Sequence, residues 1–529
     1  MPSDCISYQD SGYFSPLIVD YLNRKQNLDG LYNRYPSPEN FEAQITQKKE
    51  NFSDAKRKVL VDALNDQYKD FEIPDLTKQH IATLSSGNTF TITTGHQLNL
   101  FTGPLYFLYK IISVINLTKE LKLKYPQNDF VPVYWMATED HDFDEINYFS
   151  FKGKKFRWNR ESSGAVGHLS TEGLEKMLSL FSMDLGPSEN AETLRSMFRD
   201  AYLKHSNLAA ATRWLANRLF GEQGLVIVDG DHAGLKKEFS PFVREELLHQ
   251  TAFANVTKTI EKLKDYDIQV NPREINLFYL DQKLRERIVL ESETYHINNT
   301  TLRFSREEIL AELEQHPEKF SPNVIMRPLY QEVILPNLCY IGGGGEIAYW
   351  LELKAYFDSA GIPFPILLLR NSALLVTEKQ AKKAQALHLD WTDLFLKREK
   401  LVNKKIREIS EFPIDFEPQR EFLKKQFADL HQLASQTDKS FSGAVKAQET
   451  RQLNGLGKLE KRLLKAQKKK HTDDLERITN LHEALFPHQS LQERQANFSE
   501  FYLENGNSLL TRLIAELKPL EENFKILVL

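Results

Sequence analysis

Phe90-Thr91-Ile92-Thr93-Thr94 is a β-branched run that halts at Gly95-His96. Phe130-Val131-Pro132-Val133-Tyr134-Trp135-Met136-Ala137 is a second apolar run, and it enters an acidic turn, Glu139-Asp140-His141-Asp142-Phe143-Asp144-Glu145. Runs of this length and composition read as strands. Between them, Leu105 to Lys124 is apolar on every turn behind Gly103-Pro104, and proline suits a helix's first turn because its missing N–H has no intrahelical partner there. Strand, helix, strand predicts a βαβ unit and hence a parallel sheet, so the fold class is α/β. Two more apolar strands fit the same sheet: Gly224 to Val228, ending at Asp229-Gly230-Asp231, and Pro363 to Leu369, ending at Arg370.

Outward from this core, Asn51 to Ile81 has an amphipathic helical pattern. Phe156-Arg157-Trp158-Asn159 begins a first insertion, and Leu277 to Leu280 with Thr300 to Phe304 could pair as strands in a second. Beyond Asn371 the chain becomes charged and helical. Leu387, Leu394 and Leu401 are seven apart, Leu423, Phe427, Leu430 and Ala434 repeat at heptad offsets, and Leu456, Leu459, Leu463 and Ala466 do so again. Three such helices suggest an antiparallel coiled-coil arm, with the apolar end Lys525 to Leu529 returning to the core. The expected division is 1–150, 207–275 and 306–375 for the core, 151–206 and 276–305 for insertions, 376–484 for the arm and 485–529 for the return. The extent of the apolar stripes between Leu387 and Ala466 favours a symmetric homodimer.

The 529 residues include 68 Lys+Arg against 73 Asp+Glu, a formal charge of -5, so nothing overall attracts nucleic acid or an acidic membrane. Two cysteines, Cys5 and Cys339, cannot make a disulfide framework or a Cys-rich zinc site. With no basic segment leading into an apolar one at the start and no apolar run of about 20 residues, a cytoplasmic location is expected.

The P-loop, G-x-G-x-x-G, G-x-S-x-G and H-E-x-x-H signatures are absent. Ligands of open α/β sheets sit beyond the carboxyl ends of the strands, where four groups could converge. In Thr94-Gly95-His96-Gln97-Leu98-Asn99, glycine permits close backbone approach, and His96 either binds phosphate or carboxylate or merely caps the loop. The carboxylates from Glu139 to Glu145 suit Mg²⁺, or else initiate a helix. Asp229 and Asp231 could hold ribose hydroxyls or form an ordinary turn. Ile341-Gly342-Gly343-Gly344-Gly345-Glu346, flanked by Tyr340 and by Tyr349-Trp350, carries a large entropic cost unless positive φ or close ligand contact is needed. Just upstream, Arg327 offers a guanidinium for a carboxylate or phosphate.

Thr93 to Gln97, Thr102-Gly103-Pro104, Trp135 to Glu145, Gly342 to Glu346 with Tyr349-Trp350, and Leu491-Gln492-Glu493-Arg494 together resemble the BshC family, cysteine ligases of bacillithiol biosynthesis. The resemblance implies a Rossmann-like core and a dimerising coiled-coil domain. It also implies a reaction in which the carboxyl of cysteine joins the amine of glucosaminyl-malate. A free carboxylate is a poor electrophile, so ATP with Mg²⁺ follows from the reaction rather than from a motif, as either adenylate or acyl-phosphate chemistry. The implied site is His96, Gln97, Glu139, Asp140, His141, Asp142, Gly343, Gly344 and Glu346. Asp140 or Asp142 is expected to place a metal-bound phosphate and neutral His141 to lie near the incoming amine, in one pocket with Arg327. The alternative is a non-catalytic, metabolite-binding scaffold that dimerises through its coiled coil.

Overall fold

The computed structural model describes residues 1–529. Five strands form the central parallel sheet: β1 (Thr89–His96), β2 (Asp129–Met136), β3 (Val226–Asp229), β4 (Asn337–Gly342) and β5 (Ile366–Leu369), in the order β5-β4-β1-β2-β3. β1 runs beside β2 from Thr89 opposite Asp129 to His96 opposite Met136. Both strands are buried almost throughout, as expected where helices cover both faces of a parallel sheet. Three threonines of β1 are satisfied internally: Thr91 and Thr93 donate to Asn337 Oδ1, and Thr94 donates to the Ile341 carbonyl at 2.7 Å.

Four helices matter for the site: α1 (Tyr106–Lys124), α2 (Ala233–His249), α3 (Arg327–Ile334) and α4 (Gly344–Leu351). α1 links β1 to β2 as the βαβ pattern requires. Because β2 lies on one side of β1 and β4 on the other, chain order reverses between β1 and β4, and a crevice opens at their carboxyl ends.

The loop after β1 is strained. Phe101, Thr102 and Gly103 all have positive φ, and a Cβ on Gly103 would stand 2.4 Å from the Asn99 side chain. Asn497 holds this backbone by donating to the Phe101 and Gly103 carbonyls at 2.7 and 2.6 Å, while Tyr202 Oη accepts from Phe101 N–H. Pro104 therefore belongs to the loop, two residues before α1, rather than to the helix's first turn.

Several elements differ from the sequence expectation. The Asn51 to Ile81 pattern is divided among Asn40–Asn51, Asp54–Tyr68 and Asp75–Thr83, with Ser53 capping the second helix through Lys56 N–H. Leu277–Asp281 does not pair with Arg303–Phe304. It lies between Leu284–Glu291 and Phe320–Pro322, while Arg303–Phe304 pairs with Thr294–Ile297, giving a five-stranded antiparallel sheet that extends past residue 305. Leu387, Leu394 and Leu401 do not share a helix: the chain breaks at His388, where φ is positive, into Glu378–Ala386, Trp391–Leu394 and Arg398–Ile409.

The arm pairs Glu417–Ala434 with the long helix Lys439–Lys470. Phe427, Ala434 and Val445 form a small apolar cluster apart from the main core, with Leu423 against it, so the arm projects from the body. The C-terminal strand Asn523–Val528 does return, but to a separate sheet between Asp4–Ser7 and Ala373–Val376. No helix is long and apolar enough to cross a membrane.

Candidate active site at the β1–β4 crevice

A pocket of about 420 Å³ occupies the crevice, a size suited to a small-molecule ligand. Strand ends supply Gly95, His96, Trp135, Tyr340 and Arg370; α1 supplies Tyr106 and Lys110; α3 supplies Arg327; and α4 supplies Gly344, Gly345, Glu346 and Tyr349. The four glycines do not need positive φ. Gly342 ends β4, Gly343 caps α4, and Gly344 and Gly345 form its first turn. Their small size serves close packing instead: a Cβ on Gly342 would lie 2.9 Å from both Tyr340 and Glu346. The first-turn N–H groups of a helix have no intrahelical acceptor, so Gly344 and Gly345 present donors at the positive end of the helix dipole.

Glu346 organises this corner. Its carboxylate accepts from Gly343 N–H at 2.9 Å and from Tyr340 Oη at 2.6 Å, and it pairs with Lys110 Nζ at 2.5 Å. Burial would raise its pKa, but Lys110 and these hydrogen bonds hold it below the ordinary glutamate value. Lys110 also donates to the Gly95 carbonyl at 2.7 Å. Burial, with the neighbouring Arg370 and Arg327 charges, outweighs Glu346 and lowers the ammonium's pKa. Arg370 is neutralised in the same way by buried Glu493 at 2.7 Å. By contrast, the guanidinium groups of Arg327 and Arg494 take part in no ion pair and no side-chain hydrogen bond within the protein, although both line the pocket. Two unmatched cations beside a helix N-terminus make an anion site.

His96 is buried, and its Nε2 has no partner. Burial first, then the Lys110 and Arg370 charges, push the imidazole well below the usual histidine range. It is therefore neutral at pH 7, able to exchange hydrogen bonds but not to act as a cation. Gln97 ties the loop after β1 to the acidic turn, donating to Asp140 Oδ2 at 3.0 Å and Glu145 Oε2 at 2.7 Å. Burial would raise Asp140, but its hydrogen bonding with His141, the Arg327 charge, Gln97 and Arg285 hold it well below the carboxylate range.

The remaining sequence candidates lie elsewhere. Thr94 is under the floor, bonded to β4, and Asn99 donates to the Glu145 carbonyl at 3.0 Å. Glu139 is withdrawn into a buried pair with Lys236 of α2 at 2.5 Å, and Lys236 also meets Asp231 at 3.0 Å. Asp231 accepts His168 Nε2 at 2.7 Å, and Asp229 accepts Thr138 Oγ1. These two aspartates therefore stabilise the end of β3 and are not free for ribose. His141, expected near the incoming amine, faces a separate exposed basin with Asp142, Arg157 and Arg160. Its Nδ1 is taken up by Arg285 at 2.7 Å and lies 3.6 Å from Asp140 Oδ1, while the Arg285 guanidinium stands 3.9 Å from the Phe278 ring centroid. Asp142 caps the helix that follows by accepting from Glu145 N–H.

The acidic turn consequently does not form a metal cage. Its carboxylates are spread over two pockets and a buried pair, and no three His, Cys, Asp or Glu side chains converge on a metal position. Sequence reasoning passed over Lys110, Tyr106 and Gln269. The available signal for Lys110 was a lone charge inside the apolar stretch Tyr106-Phe107-Leu108-Tyr109-Lys110-Ile111-Ile112.

The family description "Bacillithiol biosynthesis BshC, N-terminal Rossmann-like domain" matches residues 1–371, and "Bacillithiol biosynthesis BshC, C-terminal coiled-coil domain" matches residues 373–529. Arg494 and Glu493 fall in the second part, so the pocket draws on both. Curated relatives named "Putative cysteine ligase BshC" include one from Flavobacterium johnsoniae, 65% identical over 100% of both chains. Others come from Christiangramia forsetii, 57% identical over 100% of this chain and 99% of that one, and from Cytophaga hutchinsonii, 38% identical over 98% of each. With both parts matched in order and full-length relatives at this identity, the chain belongs to the BshC family of bacillithiol biosynthesis.

Proposed function

We propose that the crevice pocket joins the carboxyl of cysteine to the amine of glucosaminyl-malate, forming an amide and leaving the thiol free. The observation that carries this reading is the pair of unmatched guanidiniums, Arg327 and Arg494, beside the free N–H groups of Gly344 and Gly345, in a pocket whose other cations are already neutralised. That arrangement suits the carboxylates of the malyl group and the phosphates of a nucleotide alike. ATP, when bound, supplies the group that turns a carboxylate oxygen into a leaving group. The donor set fits its phosphates, whereas the protein's carboxylates do not fit a dedicated Mg²⁺ cage, so no step is assigned to a protein-held metal.

Within the pocket, Arg327 and Arg494 bind and orient anionic groups. Neutral His96 offers Nε2 as a hydrogen-bond partner for the reacting amine, which sheds a proton as the amide forms. Asp140, held ionised, favours an ammonium near the same point before that proton leaves. The test is to incubate the purified protein with ATP, cysteine and glucosaminyl-malate, following the new thiol and the nucleotide products together. Bacillithiol formed in step with nucleotide cleavage supports the reading; nucleotide bound without turnover would favour the scaffold alternative.

The arm supports a homodimer in the same reading. Phe422, Leu430, Leu433, Phe441 and Leu459 remain exposed on the paired helices, and an apolar surface of this kind is expected to be covered in solution. Sedimentation at micromolar concentration should give twice the chain mass. Replacing Phe422 and Leu433 by Glu should give a folded monomer, and a monomeric wild type would refute the dimer.

A further inference from the structure

Residues 264–276 join the helix Thr251–Ile260 and its short continuation to the strand Leu277–Asp281 without helix or strand of their own. This strap reaches the pocket at Gln269, its one lining residue. It is fastened at three places. Near its start, Tyr266 Oη donates to Asp20 at 2.7 Å and accepts from Asn27 at 2.8 Å. At its end, Asn276 donates through its backbone N–H and its side chain to Glu246 Oε1, at 3.0 and 2.8 Å.

The middle fastening is different in kind. Glu352, fully buried directly after α4, accepts from Gln269 N–H at 2.7 Å and from Val270 N–H at 3.3 Å. It has no cationic partner, and burial raises its pKa to about 7 against the pull of those two N–H groups. A buried carboxylate without a counter-ion is costly, and here both of its hydrogen bonds are spent on fixing two consecutive strap amides. Those amides set the backbone from which the Gln269 side chain reaches over the first turn of α4, where its Oε1 lies 3.7 Å from the Cβ position of Gly345.

Resting on the ligase reading, we propose that Gln269 binds the hydroxyl-bearing sugar of glucosaminyl-malate and that Glu352 is the positioning residue that holds it there. The division of labour follows from chemistry. Guanidiniums and helix N–H groups bind carboxylates and phosphates, whereas the neutral Gln269 amide, with one N–H on the Asp267 carbonyl at 3.1 Å, keeps a second donor and an acceptor for hydroxyls that also donate and accept. Gln269 is an exposed residue of the pocket lining beside Gly345, whereas His96 and Lys110 are buried in it, so it meets the sugar end when the malyl carboxylates lie against Arg327.

The experiment measures the dissociation constants of glucosaminyl-malate and of free malate by calorimetry for the wild-type protein, Gln269→Ala, Glu352→Gln and the double variant. Amide exchange at Gln269 and Val270 is followed alongside. Glu352→Gln keeps the buried shape but turns an N–H donor toward one strap amide, and Gln269→Ala alters only an exposed side chain, so both retain the fold. Each single variant should weaken glucosaminyl-malate binding roughly 5- to 10-fold, as for loss of one net hydrogen bond. The double variant should be no weaker than either single, and malate binding should be unchanged throughout. Strap exchange should quicken in Glu352→Gln but not in Gln269→Ala. Additive losses, unchanged affinity in either single variant, or equal losses for free malate would overturn the assignment. A wild-type protein that binds no glucosaminyl-malate would overturn the ligase reading itself, and the sugar assignment with it.

Discussion

Replacing Glu346 by Ala should lower the melting temperature by roughly 3–6 °C and abolish ligation. The carboxylate is the only counter-ion of Lys110, whose side chain is 4% exposed; without it the ammonium keeps only the Gly95 carbonyl. Leaving one partner of a buried pair uncompensated costs about 3–5 kcal/mol. Tyr340 loses its acceptor, and the cap on Gly343 N–H, worth about 1 kcal/mol, also goes. The double change Lys110→Met with Glu346→Gln should recover most of the lost stability, because removing both charges leaves nothing buried and unpaired. It should not recover ligation, since the α4 N-terminus would then face a reshaped corner. Unchanged melting in the single variant, read by scanning calorimetry, would mean that Lys110 finds another partner and that Glu346 does not organise the corner.

Arg327→Ala should show the reverse pattern. Its guanidinium bonds to nothing in the protein, so melting should move by less than about 2 °C. Catalytic efficiency should fall roughly 10- to 100-fold, the effect of losing a charge-assisted hydrogen bond of about 1.5–3 kcal/mol to an anionic substrate. Arg327→Lys should recover only part of this, because an ammonium keeps the charge but not the two-pronged geometry. Steady-state kinetics for glucosaminyl-malate check it; full activity in Arg327→Ala would remove the guanidinium from the binding site.

Four of the five central strands were legible because their signal is local: β1 and β2 are dense in β-branched and aromatic residues, and each ends in a polar motif at the edge where ligands bind; β4, Asn337–Gly342, was not read as a strand because its short apolar run passes straight into the glycines. The glycine loop was legible as a site candidate from the conformational cost of four successive glycines, and Arg327 from its guanidinium just upstream. Other features depend on partners distant in sequence. Nothing near Glu139 in the chain announces that Lys236 will bury it, and nothing near His141 announces that Arg285 will occupy its Nδ1. The heptad run through Leu387 and Leu401 misled because spacing survives a helix break, here at the left-handed His388. Gln269 carried no signal, since an exposed glutamine in an irregular segment acquires meaning only from buried Glu352 beneath it.

The division into a Rossmann-like part and a coiled-coil part also conceals something physical. Glu493 neutralises Arg370 at the end of β5, and its neighbour Arg494 enters the pocket. The C-terminal part therefore completes the charge pattern of the crevice, as well as carrying the arm.

The most direct measurement is a crystal structure of the protein with glucosaminyl-malate bound. The account predicts the ligand in the β1–β4 crevice, its malyl carboxylates at Arg327 and the α4 N-terminus and its sugar amine between His96 and Asp140. Density for the ligand in the basin of His141, Arg157 and Arg160, with the crevice empty at saturating concentration, would contradict it.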